Sequence, residues 1–143
     1  MENRNNEFKV KEICCEQEML VFGCSIQTIP PHLINRVPAA RYVAVTDSNV
    51  YKLYGNILVE AFEKVNINLY VKIIEPGEAA KSRRIKEEIE DWMFSLSCNR
   101  DTCMVAIGGG VVGDLTGFVA ATYLRSDYMY NFFPSLHSFF LKM

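Results

Sequence analysis

Histidine is scarce in this sequence. There are two, His32 and His137, and neither has a second histidine or a cysteine at ligand spacing. That pattern does not build a metal centre, and His32 is expected as a surface or capping residue. The five cysteines are odd in number, with Cys14 and Cys15 adjacent. They outline neither a disulfide framework nor a metal-ligand set, so reduced thiols in a cytoplasmic protein are expected. No lysine or arginine run occurs, and the formal charge is −2, so there is no basic face for nucleic acid. No apolar run approaches membrane-spanning length. The segment Met1 to Lys11 is polar and mixed in charge, unlike a secretory signal or a transit peptide.

What is present is a globular composition. The 143 residues are 50% hydrophobic and 22% charged, enough for a real core in one domain or in part of a larger one. Phe8 to Ile13 and Met19 to Phe22 read as two short strands joined by the polar Glu16-Gln17-Glu18 turn. Ile29-Pro30-Pro31 is expected to break the chain before a short helix around His32 to Arg36. Arg41 to Asp47 is a continuous apolar run ending in a polar group, the signature of a strand buried on both faces of a parallel sheet. Asp47, Ser48 and Asn49 then stand at the carboxyl end of that strand, the edge where open α/β sheets bind ligands. From position alone the favoured reading is that Asp47 or Ser48 caps the next helix.

That helix is read from Leu53, Tyr54, Ile57, Leu58, Ala61, Phe62 and Val65, spaced three and four apart, with Gly55 weakening it slightly. Leu69 to Ile74 follows as a strand ended by Glu75-Pro76-Gly77. The sequence Gly77-Glu78-Ala79-Ala80-Lys81-Ser82 is not a phosphate loop, because Ala80 occupies the place of the glycine needed before the lysine. From Ser82 a helix follows, with Ile85, Ile89, Trp92, Met93 and Leu96 as its core stripe and a solvated charged face. Trp92 belongs to that stripe. Strand, helix and strand recur at lengths that make two parallel βαβ units.

The chain is organised around Cys103 to Asp114. An apolar strand runs into Gly108, Gly109 and Gly110 and then straight into a helix. Gly108, Gly110 and Gly113 satisfy the Gly-x-Gly-x-x-Gly spacing. Such a turn lets the backbone approach a diphosphate with no Cβ in the way and aims free helix N–H groups at it. Asp114 is placed by this reading in the first turn of the helix, where a carboxylate complements the dipole. It would repel a diphosphate, so a hydroxyl or amide is its sensible partner on a ligand. Gly117, one turn after Gly113, permits close packing on the sheet.

Glu75 to Ser82, Ile89 to Met93, Cys98 to Thr102 and the long block Ile107 to Arg125 together resemble 3-dehydroquinate synthase. The likeness is greatest to the form that opens the fungal pentafunctional aromatic-biosynthesis polypeptide. The resemblance implies an α/β fold, a Rossmann-like mostly parallel sheet with flanking helices, as the N-terminal half of a dehydroquinate synthase-like fold. It implies a cytoplasmic lyase of the shikimate pathway that converts a phosphorylated seven-carbon keto-acid sugar to 3-dehydroquinate. One hydroxyl is transiently oxidised by NAD, phosphate leaves, the ketone is reduced again, and ring opening with aldol closure follows. It further implies NAD contacts at Asp47, Ser48 and Asn49, at Glu78, Ala79, Ala80 and Lys81, at Gly109, Gly110 and Val111, and at Asp114. Arg125 is implied as a substrate-anion contact, suited to a phosphate or carboxylate. Family members are homodimers and use zinc.

After Arg125 the family pattern stops. The expected division is an incomplete NAD-binding α/β domain over 1–125 and a divergent aromatic-rich tail over 126–143 with no sheet to join. The family's zinc ligands, a glutamate and two histidines, have no counterpart here, so no catalytic or metal residue is assigned and the fragment alone is expected to be inactive. Two other readings stand beside this one. They are a non-catalytic, truncated NAD-binding half-domain and part of a glycerol-type polyol dehydrogenase, whose superfamily shares the glycines and the aspartate.

Overall fold

A computed structural model describes residues 11–15, 18–22, 25–125, 129–134 and 138–142, with side chains placed over 25–125 and 129–134. Seven strands form one sheet: β1 (Lys11–Cys15), β2 (Glu18–Phe22), β3 (Arg41–Asp47), β4 (Leu69–Ile74), β5 (Thr102–Ile107), β6 (Met129–Phe133) and β7 (Ser138–Lys142). Four helices accompany them: α1 (Ile29–Arg36), α2 (Ser48–Glu63), α3 (Arg83–Ser95) and α4 (Gly110–Val119), the last continued by a π-helical turn over Ala120–Leu124. The strand order is β1-β2-β7-β6-β5-β3-β4. Strands β4, β3, β5 and β6 run parallel, while β7, β2 and β1 extend the sheet antiparallel.

The expected β3–α2–β4 and β4–α3–β5 units are both present, and the chain reverses direction across the sheet between them. Strand β3 starts in the middle, β4 is laid on one side, and β5 then β6 on the other. The switch point therefore lies between the carboxyl ends of β3 and β5, where such sheets open a crevice. Its floor is pinned by Thr46, a buried hydroxyl whose Oγ1 donates to the Ile107 carbonyl at 2.7 Å.

Both faces of the central strands are covered. Tyr42, Ala44, Cys103, Val105, Ile107, Tyr130 and Phe132 pack with α1 and α2 on one side. Val43, Val45, Met104 and Ala106 pack with α3 and α4 on the other. β5 is buried at every position, which is why its sequence is apolar without alternation.

Several expectations change. Pro30 and Pro31 do not break the chain before α1 but stand in its first turn, where the missing N–H would have had no helical partner. Leu53 and Ile57 are exposed at 70% and 37% rather than core. The face α2 buries is Gly55, Leu58, Ala61 and Phe62. The tail does have a sheet to join. β6 pairs in parallel with β5, from Met104–Met129 to Ile107–Phe132, and β7 returns antiparallel beside it. Of the first expected strand, residues 8–10 lie outside the described residues, as do 16 and 17 of the turn.

Candidate functional site

Three loops leave the carboxyl edge of β3, β4 and β5. After β3, Asp47 is the N-cap of α2, its Oδ1 accepting from the backbone N–H of Asn49 and of Val50 at 2.9 Å each. The capping reading of Asp47 is thus realised; Ser48 is half-buried beside it and Asn49 is exposed. After β4, Gly77 turns the chain at φ 93°, a left-handed geometry that glycine adopts without strain. Glu78–Ala80 form a single 3₁₀ turn. Ala80 is fully buried, backbone included, and presents no surface to a ligand. Ser82 caps α3 through Ile85 N–H at 3.3 Å. Arg84 clamps the loop, donating to Glu75 Oε1 at 2.7 Å and to Glu88 Oε1 at 2.6 Å.

After β5 comes the glycine turn. Gly108 is buried, its N–H donates to the Phe132 carbonyl at 3.1 Å, and a Cβ there would stand 2.9 Å from Val112 Cγ2. This glycine is fixed by close approach. Gly109, the N-cap of α4, and Gly110 are exposed, and a Cβ on either would meet open space. Helices α2 and α3 are capped by Asp47 and Ser82, but α4 has no side-chain cap. Its first N–H groups have no helical acceptor and face a surface that glycine has cleared.

Asp114 lies past the first turn of α4, contrary to its expected place, and does not accept from the helix amides described there. Its Oδ2 accepts from Lys81 Nζ at 2.8 Å, an ion pair that joins the loop after β4 to α4. Glu78 Oε1 is 3.8 Å from the same ammonium. The bond to Asp114, then the charges of Asp114 and Glu78, hold the Lys81 ammonium above its ordinary pKa. A cleft of about 230 Å³ adjoins the pair, with Ser82, Lys86, Leu115 and Phe118 in its wall. The Lys86 ammonium sits 5.3 Å from the centre of the half-exposed Phe118 ring.

Asp47, Ser48, Asn49, Glu78, Ala79, Ala80, Lys81, Gly109, Gly110, Val111 and Asp114 therefore gather on one edge of the sheet. Arg125 does not. It follows the π-helical turn, in a left-handed conformation at φ 50°, and is exposed. At 1.5 Å per residue, α4 and its continuation carry it about 20 Å from the glycine turn. It lines a pocket with Asn99 and Arg100, which precede β5. Sequence reasoning did not single out Thr46 or Phe118, and it read Ser82 only as the start of a helix. Only Ser82, a serine three residues before Ile85, carried a local signal, that of a cap.

A doubly wound sheet with a glycine turn at its switch point defines a class of α/β domain that binds its ligand at that edge. Residues 71–138 match the family model for the N-terminal region of 3-dehydroquinate synthase, so the resemblance read from the sequence is shown over that segment, which runs past Arg125. Among solved structures, 2-deoxy-scyllo-inosose synthase superimposes with a TM-score of 0.72 at 23% identity, over 87% of this chain and 36% of that one. Its complex with carbaglucose-6-phosphate, NAD+ and Co2+ gives 0.70 at 23%, over 85% and 33%. ValA, the 2-epi-5-epi-valiolone synthase from Streptomyces hygroscopicus subsp. jinggangensis 5008 with NAD+ and Zn2+ bound, gives 0.60 at 29%, over 68% and 27%. The fold is that of the dehydroquinate synthase-like enzymes, and this chain spans 27–36% of the length of these three chains.

Proposed function

We propose that this chain is the NAD-binding part of a 3-dehydroquinate synthase, the lyase that cyclises DAHP, a phosphorylated seven-carbon keto-acid sugar, to 3-dehydroquinate with loss of phosphate in the shikimate pathway. The observation that carries the reading is the uncapped start of α4 at the switch point, with Gly109 and Gly110 leaving open space in front of its amides. These residues fit a dinucleotide. Gly109, Gly110 and Val111 hold its diphosphate, and the loops at Asp47–Asn49 and Glu78–Lys81 lie on either side. The inosose and valiolone synthase structures contain NAD+, which supports carrying the cofactor over. Bound there, NAD supplies a reversible hydride acceptor for one substrate hydroxyl.

The described residues do not fit a zinc site. Among them no group of three or more His, Cys, Asp or Glu side chains comes together, so no metal-dependent step is assigned to this chain. Arg125 is proposed as the contact for a substrate phosphate or carboxylate, at a place separate from the glycine turn. Turnover is expected only where the rest of the synthase fold is present. Among the described residues no helix is long and apolar enough to cross a membrane. Cys98 and Cys103 are free thiols, which suits the proposed cytoplasmic setting.

Titration of NAD into the protein tests this reading, with phosphate release from DAHP followed in parallel. Binding without phosphate release is the expected result. Absence of NAD binding overturns the assignment, and NADH production from glycerol transfers it to the polyol dehydrogenases.

A further inference from the structure

The amino ends of β3 and β4, at the far end of the sheet from the glycine turn, open a second cleft. It holds about 390 Å³ and lies between the loop that enters β3 and the loop that enters β4, with Ala39, Arg41, Asn66, Asn68 and Tyr70 in its wall. The seven residues of β3, at about 3.3 Å each, put it roughly 20 Å from the glycine turn. Its wall is held from behind. The Tyr42 hydroxyl donates to the Val37 carbonyl at 2.7 Å and accepts from the Ala39 N–H at 3.1 Å, and the Ala40 N–H donates to the Asp101 carbonyl at 2.8 Å. Asn66 turns the chain in the left-handed region at φ 58°, which asparagine tolerates better than most residues.

The one charge in this wall is positive, and no carboxylate stands among the described lining residues. Lys81, Arg84 and Lys86 each pair with carboxylates. Arg41 is half-buried and forms no ion pair with a described residue. Its Nη1 donates to the Leu96 carbonyl at the end of α3, and its guanidinium carbon lies 5.8 Å from the centre of the Tyr70 ring. A carbonyl and a ring leave the charge in place, and a guanidinium has five N–H donors in all. The carboxyl ends of α1 and α2 point the same way, but the carbonyls of Leu33, Phe62 and Glu63 already accept from Val37, Ile67 and Asn66. Tethering the end of α3 accounts for one bond of Arg41, not for the open cleft of amides and ring beside it.

We propose that this cleft binds a small aromatic carboxylate, Arg41 taking the carboxylate and Tyr70 the ring. The planar fork of a guanidinium matches a carboxylate and stacks with flat groups, and Asn66 and Asn68 supply amide donors at the rim. The site is separate from the glycine turn, so the proposal stands whether or not NAD binds there.

Proton–nitrogen correlation NMR of the full chain, titrated with benzoate and separately with benzamide, is the test. Benzoate is expected to shift the amides of Ala39, Asn66 and Asn68 saturably, with a Kd of about 1 mM, the scale for a ligand of about nine non-hydrogen atoms. Benzamide, its neutral counterpart, is expected to bind about tenfold more weakly or worse. The same loss is expected for benzoate with Arg41→Gln, whose amide can still donate to Leu96. Cyclohexanecarboxylate, equally charged but not flat, is expected to bind about fivefold more weakly than benzoate. Equal affinity for benzoate and benzamide overturns the proposal, because the arginine then takes no part. Equal affinity for benzoate and cyclohexanecarboxylate overturns the aromatic assignment. A folded Arg41→Gln protein with wild-type affinity also overturns it, as does the absence of a saturable shift at about ten times the expected Kd. The ligand comparisons read charge and ring on the unaltered protein, so the outcome does not depend on a variant that folds.

Discussion

Gly113 on α4 faces Asn131 on β6 so closely that a Cβ on the glycine would stand 3.1 Å from Asn131 Oδ1. That oxygen is buried and accepts from no described residue. One turn on, Gly117 faces Met129, with Sδ 3.0 Å from the corresponding Cβ position. The glycine helix thus lies on β6 along a line of missing side chains. Alanine at either site gains about 1 kcal/mol of helix propensity, but the neighbours differ. A methionine thioether swings aside readily, whereas the Asn131 amide is held under the helix. Gly117→Ala is therefore expected to be neutral or stabilising in urea unfolding, and Gly113→Ala destabilising. Asn131→Ala added to Gly113→Ala should recover about 1 kcal/mol through coupling of the touching pair. Additive effects would show that the helix does not rest on Asn131.

This contact also explains which parts of the fold the sequence made legible. Strands β3, β4 and β5 were readable because burial on two faces writes a continuous apolar run, and the glycine turn because its spacing is local. β6 was not readable as a strand of this sheet. Its place depends on Met129 and Asn131 meeting Gly117 and Gly113 across the α4 surface, a fit between segments that local patterning does not encode. The same holds for Lys81 and Asp114, 33 residues apart. Each was legible as a candidate, but their bond was not. In α2 the periodic face included Leu53 and Ile57, while the buried line passes through Gly55. There a Cβ would stand 2.6 Å from the Tyr51 ring, so the glycine that weakens the helix by propensity serves its packing.

Asp47 separates capping from cofactor contact. Its Oδ1 serves two α2 amides, and loss of such a cap costs about 1 kcal/mol. Asp47→Ala should lower unfolding free energy by that amount, whereas Asp47→Asn should keep most of it, because the amide oxygen also caps. If the residue only caps, NAD affinity of Asp47→Asn equals that of the wild type. A tenfold loss with unchanged stability would show that the carboxylate itself reaches the cofactor.

Gly110 and Gly108 make a second such pair. Around Gly110 the space is open, so Gly110→Val should fold, with a stability change below about 1 kcal/mol, while its side chain fills the diphosphate position and abolishes NAD binding. Gly108→Ala meets Val112 Cγ2 at 2.9 Å, at φ 158°, and should instead lower the melting temperature. Unchanged NAD affinity in a folded Gly110→Val protein removes the turn from the site.

Cys103 gives the stability of the sheet a pH dependence. It is wholly buried in β5, and burial pushes its thiol up from 9.0 to about 12. In the unfolded chain the thiol ionises first, so above its unfolded pKa the unfolded state releases a proton that the native state retains. The sign follows directly. The stabilisation is complete below about pH 9 and is lost progressively as the pH rises towards about 12. Tyr42, buried and raised by desolvation, acts in the same direction at higher pH. Urea midpoints should therefore fall more steeply between about pH 8 and about pH 10.5 for the wild type than for Cys103→Ala. The variant loses the thiol's share of the slope while starting from a lower stability because of the cavity. Parallel slopes would mean that Cys103 ionises as readily in the folded protein as in the unfolded chain, and that β5 opens to solvent below its unfolding transition.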